Sequence, residues 1–450
     1  LSRQGSVFTT QGAKVISLIA DASSMTLTPD GYRPRLADLR IKEYMRMYGA
    51  VSIEGARGCG KTWTALGHSN SIFALDNPED NNRNYRLASR DVNYALDGEE
   101  PRLIDEWQTV PAIWDGVRRR VDEKRVKGRF VLCESSMPTE GNATPPMHSG
   151  LGRIGTIRMR TMSLYESGDS DGSVSLRGLF DSDFRNTPPK TTRYSDLVRL
   201  VMRGGWPSVL DTPLNEELGS MPGYIDQLCE RDLPRVDRSK SPYRMKMVIR
   251  SLSRNESTLA SNSAIARDMK ENEDEVIKDT TVSDYISVLE RMYLIENQPS
   301  YSSNLRSPER VGKKPKRHLT DPAIAVSALG LTSKMLDDDE ETFGFLFEGM
   351  CERDLQIYAE ASNGNLFHYN DGKRKIDAIV EMPDKRWGAF EIKVGTNRID
   401  SAAENLISVT ERMTGYHREP SFLCVLCGTE SAAYRREDGV YVVPITSLKN

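Results

Sequence analysis

Eight residues, Gly55-Ala56-Arg57-Gly58-Cys59-Gly60-Lys61-Thr62, follow the apolar run Ala50-Val51-Ser52-Ile53 and match G-x-x-x-x-G-K-[ST] at every fixed position. No other stretch constrains the fold as strongly. The pattern needs a buried strand to deliver the chain into a glycine-lined turn, and the segment from Trp63 to Leu66 can begin the helix that leaves it. Glycines let successive backbone N–H groups close around phosphate oxygens where a Cβ would obstruct the turn, and the helix presents its positive end. Gly55, Gly58, Cys59, Gly60, Lys61, Thr62 and Trp63 are therefore the expected nucleotide contacts. Lys61 would reach the β- and γ-phosphates as a catalytic cation, and the Thr62 hydroxyl would take one position on Mg²⁺.

The partner of this loop stands about forty residues on. Pro101-Arg-Leu-Ile-Asp105-Glu106 is a short apolar strand closed by two acids. Asp105 is the expected second Mg²⁺ group, and Glu106 the base that orients and polarises an attacking water. Arg129-Phe-Val-Leu-Cys133-Glu134-Ser135-Ser136 reads as a further strand ending in polar residues, with Ser135, or alternatively Ser136, placed to sense the γ-phosphate.

Composition sets outer bounds. A chain of 450 residues predicts two to four domains. No apolar run approaches the ~20 residues that cross a bilayer, so no membrane partner is expected. The net charge of −4 does not favour nucleic acid globally, although local basic segments can still bind it. Six cysteines in a chain this long fit a reducing cytoplasm, the expected location. Cys424 and Cys427 form C-x-x-C, but within an apolar strand residues three apart face opposite ways and cannot share a metal. Residues 1–30 read as a disordered tail or a mis-assigned start, Met25 being the natural one.

Further organisation follows from pattern breaks. Residues 31–186 hold the ATPase core, and Thr187-Pro-Pro-Lys190 stiffens a boundary before a helical lid over 187–243, broken at Gly204-Gly-Trp-Pro207. Residues 244–335 resemble a winged-helix unit with three helical stretches, the last being the most periodic. The basic segment behind it offers Arg310, Lys313, Lys314, Lys316 and Arg317 as DNA phosphate contacts. Asp337 to Glu341 reads as an acidic linker. From 342 to 450 a helix, three strands, a helix and a strand predict an αβββαβ domain. Asp377 with Glu391-Ile-Lys393 fits the PD-(D/E)xK nuclease pattern, Glu391 and Lys393 leaving one face of a strand. Glu348, or Glu352 one turn later, would supply a third carboxylate to a metal-activated water.

The loop, the Asp105-Glu106-Trp107-Gln108 sequence with Pro111 and Trp114, and the runs Ser149 to Arg153 and Met159 to Glu166 together resemble a family of prokaryotic AAA-like ATPases. The resemblance extends from about Tyr32 to the end. It implies a P-loop AAA-like three-layer α/β core with a helical lid, a winged-helix middle domain and a C-terminal restriction-endonuclease-like domain. Two departures stand out. The family usually has Thr-Gly-Ser where this chain has Cys133-Glu134-Ser135, and an acid where it has Lys375. Arg153 is a candidate for the arginine that stabilises γ-phosphate transfer, in its own subunit or across a homo-oligomer interface. The leading expectation is an ATP-hydrolysing switch using ATP and Mg²⁺. The alternatives are an ATP-regulated scaffold that binds DNA or a protein partner without nuclease activity, and an ATP-dependent DNA nuclease.

Overall fold

The computed structural model describes residues 27–136, 146–215, 219, 221–270, 277–302, 313–413 and 419–450. The expected tail up to residue 26, and Arg310, lie outside the described residues.

Five short apolar runs build the first sheet: β1 (Ala50–Glu54), β2 (Ser71–Ala74), β3 (Arg102–Asp105), β4 (Phe130–Glu134) and β5 (Ile154–Arg158). They pair in parallel in the order β2-β3-β4-β1-β5. Strands of such a sheet are covered on both faces and read as continuous hydrophobic runs. Here Leu103 and Val131 join one apolar cluster, while their neighbours Ile104 and Leu132 join the other. That alternation is the strand period of two, and it fixes both faces at once. The order inserts β4 between the strand that feeds the loop and the strand that carries the paired acids. Since Ile53 is level with Cys133, and Cys133 with Asp105, all three strands end at the same carboxyl edge. Open α/β sheets bind ligands outside such an edge.

After β6 (Val174–Ser175) come the helix Tyr194–Arg203, the longer helices Pro242–Arg254 and Asp279–Arg291 with Asn262–Asp268 between them, and then β7 (Ile295–Gln298) and β8 (Lys316–Leu319). β7 and β8 run antiparallel with Gln298 opposite Lys316. The acidic run expected to be a linker is helical instead. Helix Ser333–Asp338 is followed by Asp339, whose carboxylate accepts the Thr342 N–H at 3.0 Å and caps the helix Glu340–Ala361. Acids collect there because a helix start offers unpaired N–H donors.

The last sheet holds β9 (Asn365–Asn370), β10 (Lys375–Glu381), β11 (Trp387–Lys393), β12 (Phe422–Cys427), β13 (Tyr434–Arg435) and β14 (Tyr441–Pro444). Their order is β13-β14-β12-β11-β10-β9, with helix Ile399–Met413 between β11 and β12 in sequence. The expected αβββαβ order is thus extended by β13 and β14. Tyr441-Val-Val is too short a run to stand out, yet it is buried beside β12 in parallel. Cys424 and Cys427 are buried free thiols belonging to different apolar clusters, which places them on opposite faces. A final pair of residues, β15 (Leu448–Lys449), pairs in parallel with β6. Among the described residues no helix is long and apolar enough to cross a membrane.

Candidate nucleotide site

The loop 55–62 leaves β1 and enters the helix Lys61–Leu66. Gly60 takes a φ of 101°, where a side chain would be strained. At Gly55 the constraint is contact rather than φ, since a Cβ would lie 2.2 Å from the Met159 carbonyl oxygen. Lys61 is buried, and its ammonium donates to the Gly55 and Ala56 carbonyls at 2.8 and 2.9 Å. Cys59 is fully buried, and the Trp63 side chain is half exposed one turn into the helix.

Asp105 and Glu106 divide the work of the acidic pair by geometry. Asp105 is buried and accepts the Thr62 hydroxyl at 3.0 Å. Burial, and then the Glu106 charge, push its carboxyl up to about 6, while the Thr62 hydroxyl pulls it down. Two hard oxygen donors in contact, one of them a buried carboxylate that forms no ion pair with a side-chain cation among the described residues, are a donor set that fits Mg²⁺. Glu106 sits one residue past the strand at a φ of 56°, the left-handed region. A non-glycine residue held there points to a constraint at a functional position. Its Oε2 accepts from the Ser135 hydroxyl at 3.0 Å and from the Gln108 amide. The structure therefore brings Lys61, Thr62, Asp105, Glu106 and Ser135 to one edge, with Ser135 interposed because β4 lies between β1 and β3.

Several groups around the loop were not legible as site residues. Arg35 is buried and donates to the Cys59 carbonyl at 2.9 Å and the Arg160 carbonyl at 2.8 Å, with its Nε on Glu166 at 3.2 Å. Trp206, read as part of a helix break, is fully buried with its ring beside Gly58, and Pro207 lies beside Gly60. The signal available was the Gly-Gly-Trp-Pro sequence itself. A Cβ on Gly205 would meet the Met162 carbonyl at 2.0 Å, so close backbone approach and not flexibility selects glycine there.

Arg153 lies elsewhere. It immediately precedes β5, and its carbonyl accepts from Gly49 and Ala50 at the start of β1, the amino edge of the sheet. Its guanidinium pairs with Asp122 at 2.8 Å on the surface. A role for Arg153 at the phosphate loop of its own subunit is corrected by this placement, because parallel strands separate the two edges by their full length.

The basic segment before β8 also differs from expectation. Lys316 points inward, buried, with its ammonium on Glu348 and on Glu352 at 2.6 Å. Arg317 donates to the Ala260 carbonyl at 3.2 Å and Lys313 to the Asn370 carbonyl at 3.0 Å. Of the four described candidates for DNA contact, only Lys314 is exposed, while Lys313 and Arg317 are half-buried. The strand period explains the inversion: Lys316 and His318 share the inner face of β8, and both are buried.

The nuclease-like residues do converge. Lys393 bridges Glu391 at 2.7 Å and Asp377 at 3.2 Å, and Lys375 lies 3.3 Å from Asp377. Asn405 donates to the other Glu391 oxygen at 2.8 Å. Glu348 and Glu352 both face this region through Lys316. Burial raises Glu391 to about 7, with Asp377 adding to the rise, while Lys393 and Lys375 counter the burial of Asp377 and hold that carboxyl well down. Three ammonium groups thus share the carboxylates. Among the described residues no cluster of three or more His, Cys, Asp or Glu side chains is arranged to hold a metal ion.

Comparison with known proteins bears on the first of these sites. Residues 48–167 match the AAA domain family, while residues 194–335 and 343–448 match two domains of unknown function, DUF8612 and DUF4143. Two curated relatives, the uncharacterized proteins Mb2031c of Mycobacterium bovis and Rv2008c of Mycobacterium tuberculosis, are each 24% identical over 366 residues, covering 80% of this chain and 73% of theirs. Among solved structures, the Walker-type ATPase PABY2304 of Pyrococcus abyssi is similar at a TM-score of 0.41 and 9% identity, over 67% of this chain and 97% of that one. The replication initiator DnaA bound to AMPPCP and single-stranded DNA gives a TM-score of 0.25 at 13% identity, over 57% of this chain and 86% of that one. The phosphate loop, the paired acids and the parallel sheet all fall inside the first matched segment, so residues 48–167 form a P-loop α/β domain similar to the AAA domain family.

Proposed function

We propose that this chain hydrolyses ATP and uses the cycle as a switch acting on its middle and C-terminal segments. The single observation that carries the reading is the Thr62–Asp105 contact at 3.0 Å beside the Glu106–Ser135 contact at 3.0 Å, at one sheet edge below the loop. Thr62 and Asp105 would hold Mg²⁺, which supplies charge neutralisation on the phosphates when bound. The loop N–H groups and Lys61 bind and orient the polyphosphate. Ser135 and Gln108 fix one oxygen of Glu106, so the other, Oε1, is aimed to accept a hydrogen bond from water and to draw off its proton. Ser135 lies between the two elements and registers displacement of either.

On this reading residues 31–186 are the core, 187–243 a lid over the loop, 244–335 a winged-helix-like unit of three helices and the β7–β8 hairpin, and 342–450 a nuclease-like fold. The test is ATP turnover with Mg²⁺ in the wild type, Lys61→Ala and Glu106→Gln. Turnover that falls by roughly 10²–10⁴ in Glu106→Gln while nucleotide binding persists supports it. Hydrolysis undiminished in Lys61→Ala refutes it.

A second reading, an ATP-regulated scaffold without nuclease activity, is favoured by the ion pairs that Lys316, Lys375 and Lys393 make to buried acids. They neutralise the acids that an ATP-dependent nuclease would need for its metal. Mg²⁺-dependent DNA cleavage by the wild type that is lost in Glu391→Ala would reverse that preference. Binding titrations at several salt concentrations separate a DNA partner from a protein partner or a second copy of this chain.

A further inference from the structure

Glu134, one of the two departures from the family pattern, has a partner outside the nucleotide-binding segment. It ends β4, is fully buried, and directly precedes Ser135. Its Oε1 accepts the hydroxyl of Tyr293, which lies just after the helix Asp279–Arg291. Glu54, level with Glu134 on β1 and directly before Gly55, lies beside that hydroxyl, which together with Arg158 counters the upward push of burial on its carboxyl. One phenol therefore bonds the last residue before Ser135, which in turn pairs across the sheet with the last residue before the phosphate loop.

Tyr293 is itself held hard. Its φ is 60°, an outlier for an aromatic residue that persists only where surroundings over-determine it. The Arg158 guanidinium lies 4.3 Å from the ring centroid and donates to the Tyr293 carbonyl at 2.9 Å. Arg158 also pairs with Glu296 on β7 at 2.8 Å, and Glu296 pairs with Arg160 at 3.0 Å. Arg160 in turn holds Glu360 of the helix Glu340–Ala361 at 2.7 Å.

We propose that Tyr293 is a positioning residue through which the middle segment sets the placement of Ser135 and Glu106. The physical reason is that Glu134 has no water to turn to. A buried carboxyl deprived of its donor pays the full desolvation cost, so it follows the hydroxyl. Displacing Tyr293 drags the end of β4, and with it the Ser135 hydroxyl that holds Glu106. A displacement of about 1 Å at such a group can lower turnover on the order of a hundredfold. The same link works in reverse, carrying a change at the nucleotide to β7.

The inference rests on the reading of Glu106 as the group that orients water, and the experiment separates the two. Tyr293→Phe keeps the ring and removes the hydroxyl, Glu134→Gln alters its acceptor, and Tyr285→Phe removes a hydroxyl of the same segment that bonds Ser241 instead. The expected result is turnover lowered roughly ten- to a hundredfold in Tyr293→Phe, with fluorescent-ATP affinity within about twofold of wild type and Tyr285→Phe unaffected. The Tyr293→Phe/Glu134→Gln double variant should be no slower than the worse single variant, since both break one link. Hydrogen exchange in residues 293–298 should respond to a non-hydrolysable ATP analogue in the wild type and not in Tyr293→Phe. If the wild type hydrolyses no ATP, the reading of Glu106 fails, and the exchange measurement alone judges the link. Unchanged turnover in a hydrolysing Tyr293→Phe, additive losses in the double variant, or exchange at 293–298 indifferent to the analogue in the wild type would overturn the proposal.

Discussion

Replacing Lys316 by methionine keeps most of the side-chain stem and removes the charge, which isolates what the ammonium does. Lys316 is held between Glu348 and Glu352, with Glu352 Oε1 at 2.6 Å, and only 8% of its side chain is exposed. Breaking one partner out of a buried ion pair typically costs about 3–5 kcal/mol, because the carboxylates left behind have neither water nor a cation. At roughly 2–4 °C per kcal/mol for a cooperative unit of 150–250 residues, the transition should fall by about 6–20 °C. The pH dependence follows from direction. Burial already raises Glu348 and Glu352, and Lys316 is the leading influence pulling them down. Without it both rise further above their unfolded values near 4.3. The folded variant then binds protons that the unfolded chain has released, so its stability falls as pH rises through that window. The deficit relative to wild type should therefore be full at pH 8 and shrink toward pH 5. Scanning calorimetry at both pH values reads this, with Lys314→Met as the exposed neighbour expected within about 0.5 kcal/mol of wild type. A Lys316→Met protein as stable as Lys314→Met at pH 8, or a deficit that grows on acidification, would show that the ammonium is not seated among those carboxylates.

Gly55→Ala should weaken fluorescent-ATP binding about tenfold or more, since its Cβ meets a backbone oxygen at 2.2 Å and the loop must shift; unchanged affinity in a titration would contradict the packing. Arg35→Lys should cost about 2–3 kcal/mol in a urea midpoint, because an ammonium cannot serve the Cys59 and Arg160 carbonyls and Glu166 together. Glu134→Gln should remove a pH dependence. Burial, with Glu54 adding to it, raises Glu134 to about 8, against Tyr293 and Lys61, so the wild type loses stability between about pH 4.3 and 8 at up to about 1.4 kcal/mol per unit. Urea midpoints at pH 5.5 and 8.5 should show the variant gaining on wild type at the higher value, and a constant difference would count against a buried acid there.

Strands β1, β3 and β4 and strands β9 to β12 were visible as apolar runs because buried strands need little else, whereas the short β13 and β14 were not. The loop and the Asp105-Glu106 pair were visible because phosphate chemistry fixes residue type and spacing. What escaped depends on partners distant in sequence. Lys316 looked like a solvated cation among other cations, and only Glu348 and Glu352, more than thirty residues later, turn it inward. Arg153 looked close to the site because it follows the strands of the core, yet it belongs to their amino edge. Trp206 sat beside two glycines and a proline, a combination that reads as a break until the Met162 carbonyl shows why glycine is needed. Tyr293 carried only a helical period.

The helix Glu340–Ala361, about 33 Å long at 1.5 Å per residue, meets its neighbours through buried charges as well as through apolar side chains. Glu348 and Glu352 meet Lys316, Arg353 meets Asp321 at 2.9 Å, Asp354 accepts the Leu164 N–H at 2.8 Å, and Glu360 meets Arg160. An oily joint resists sliding because every step exposes apolar surface to water. A joint of ion pairs behaves more like a ratchet, since a lysine or arginine can pass from one carboxylate to the next with few intermediate positions satisfied. Movement of this helix against the core would therefore come in discrete steps of partner exchange, and because most of these pairs are buried, added salt would change its rate little.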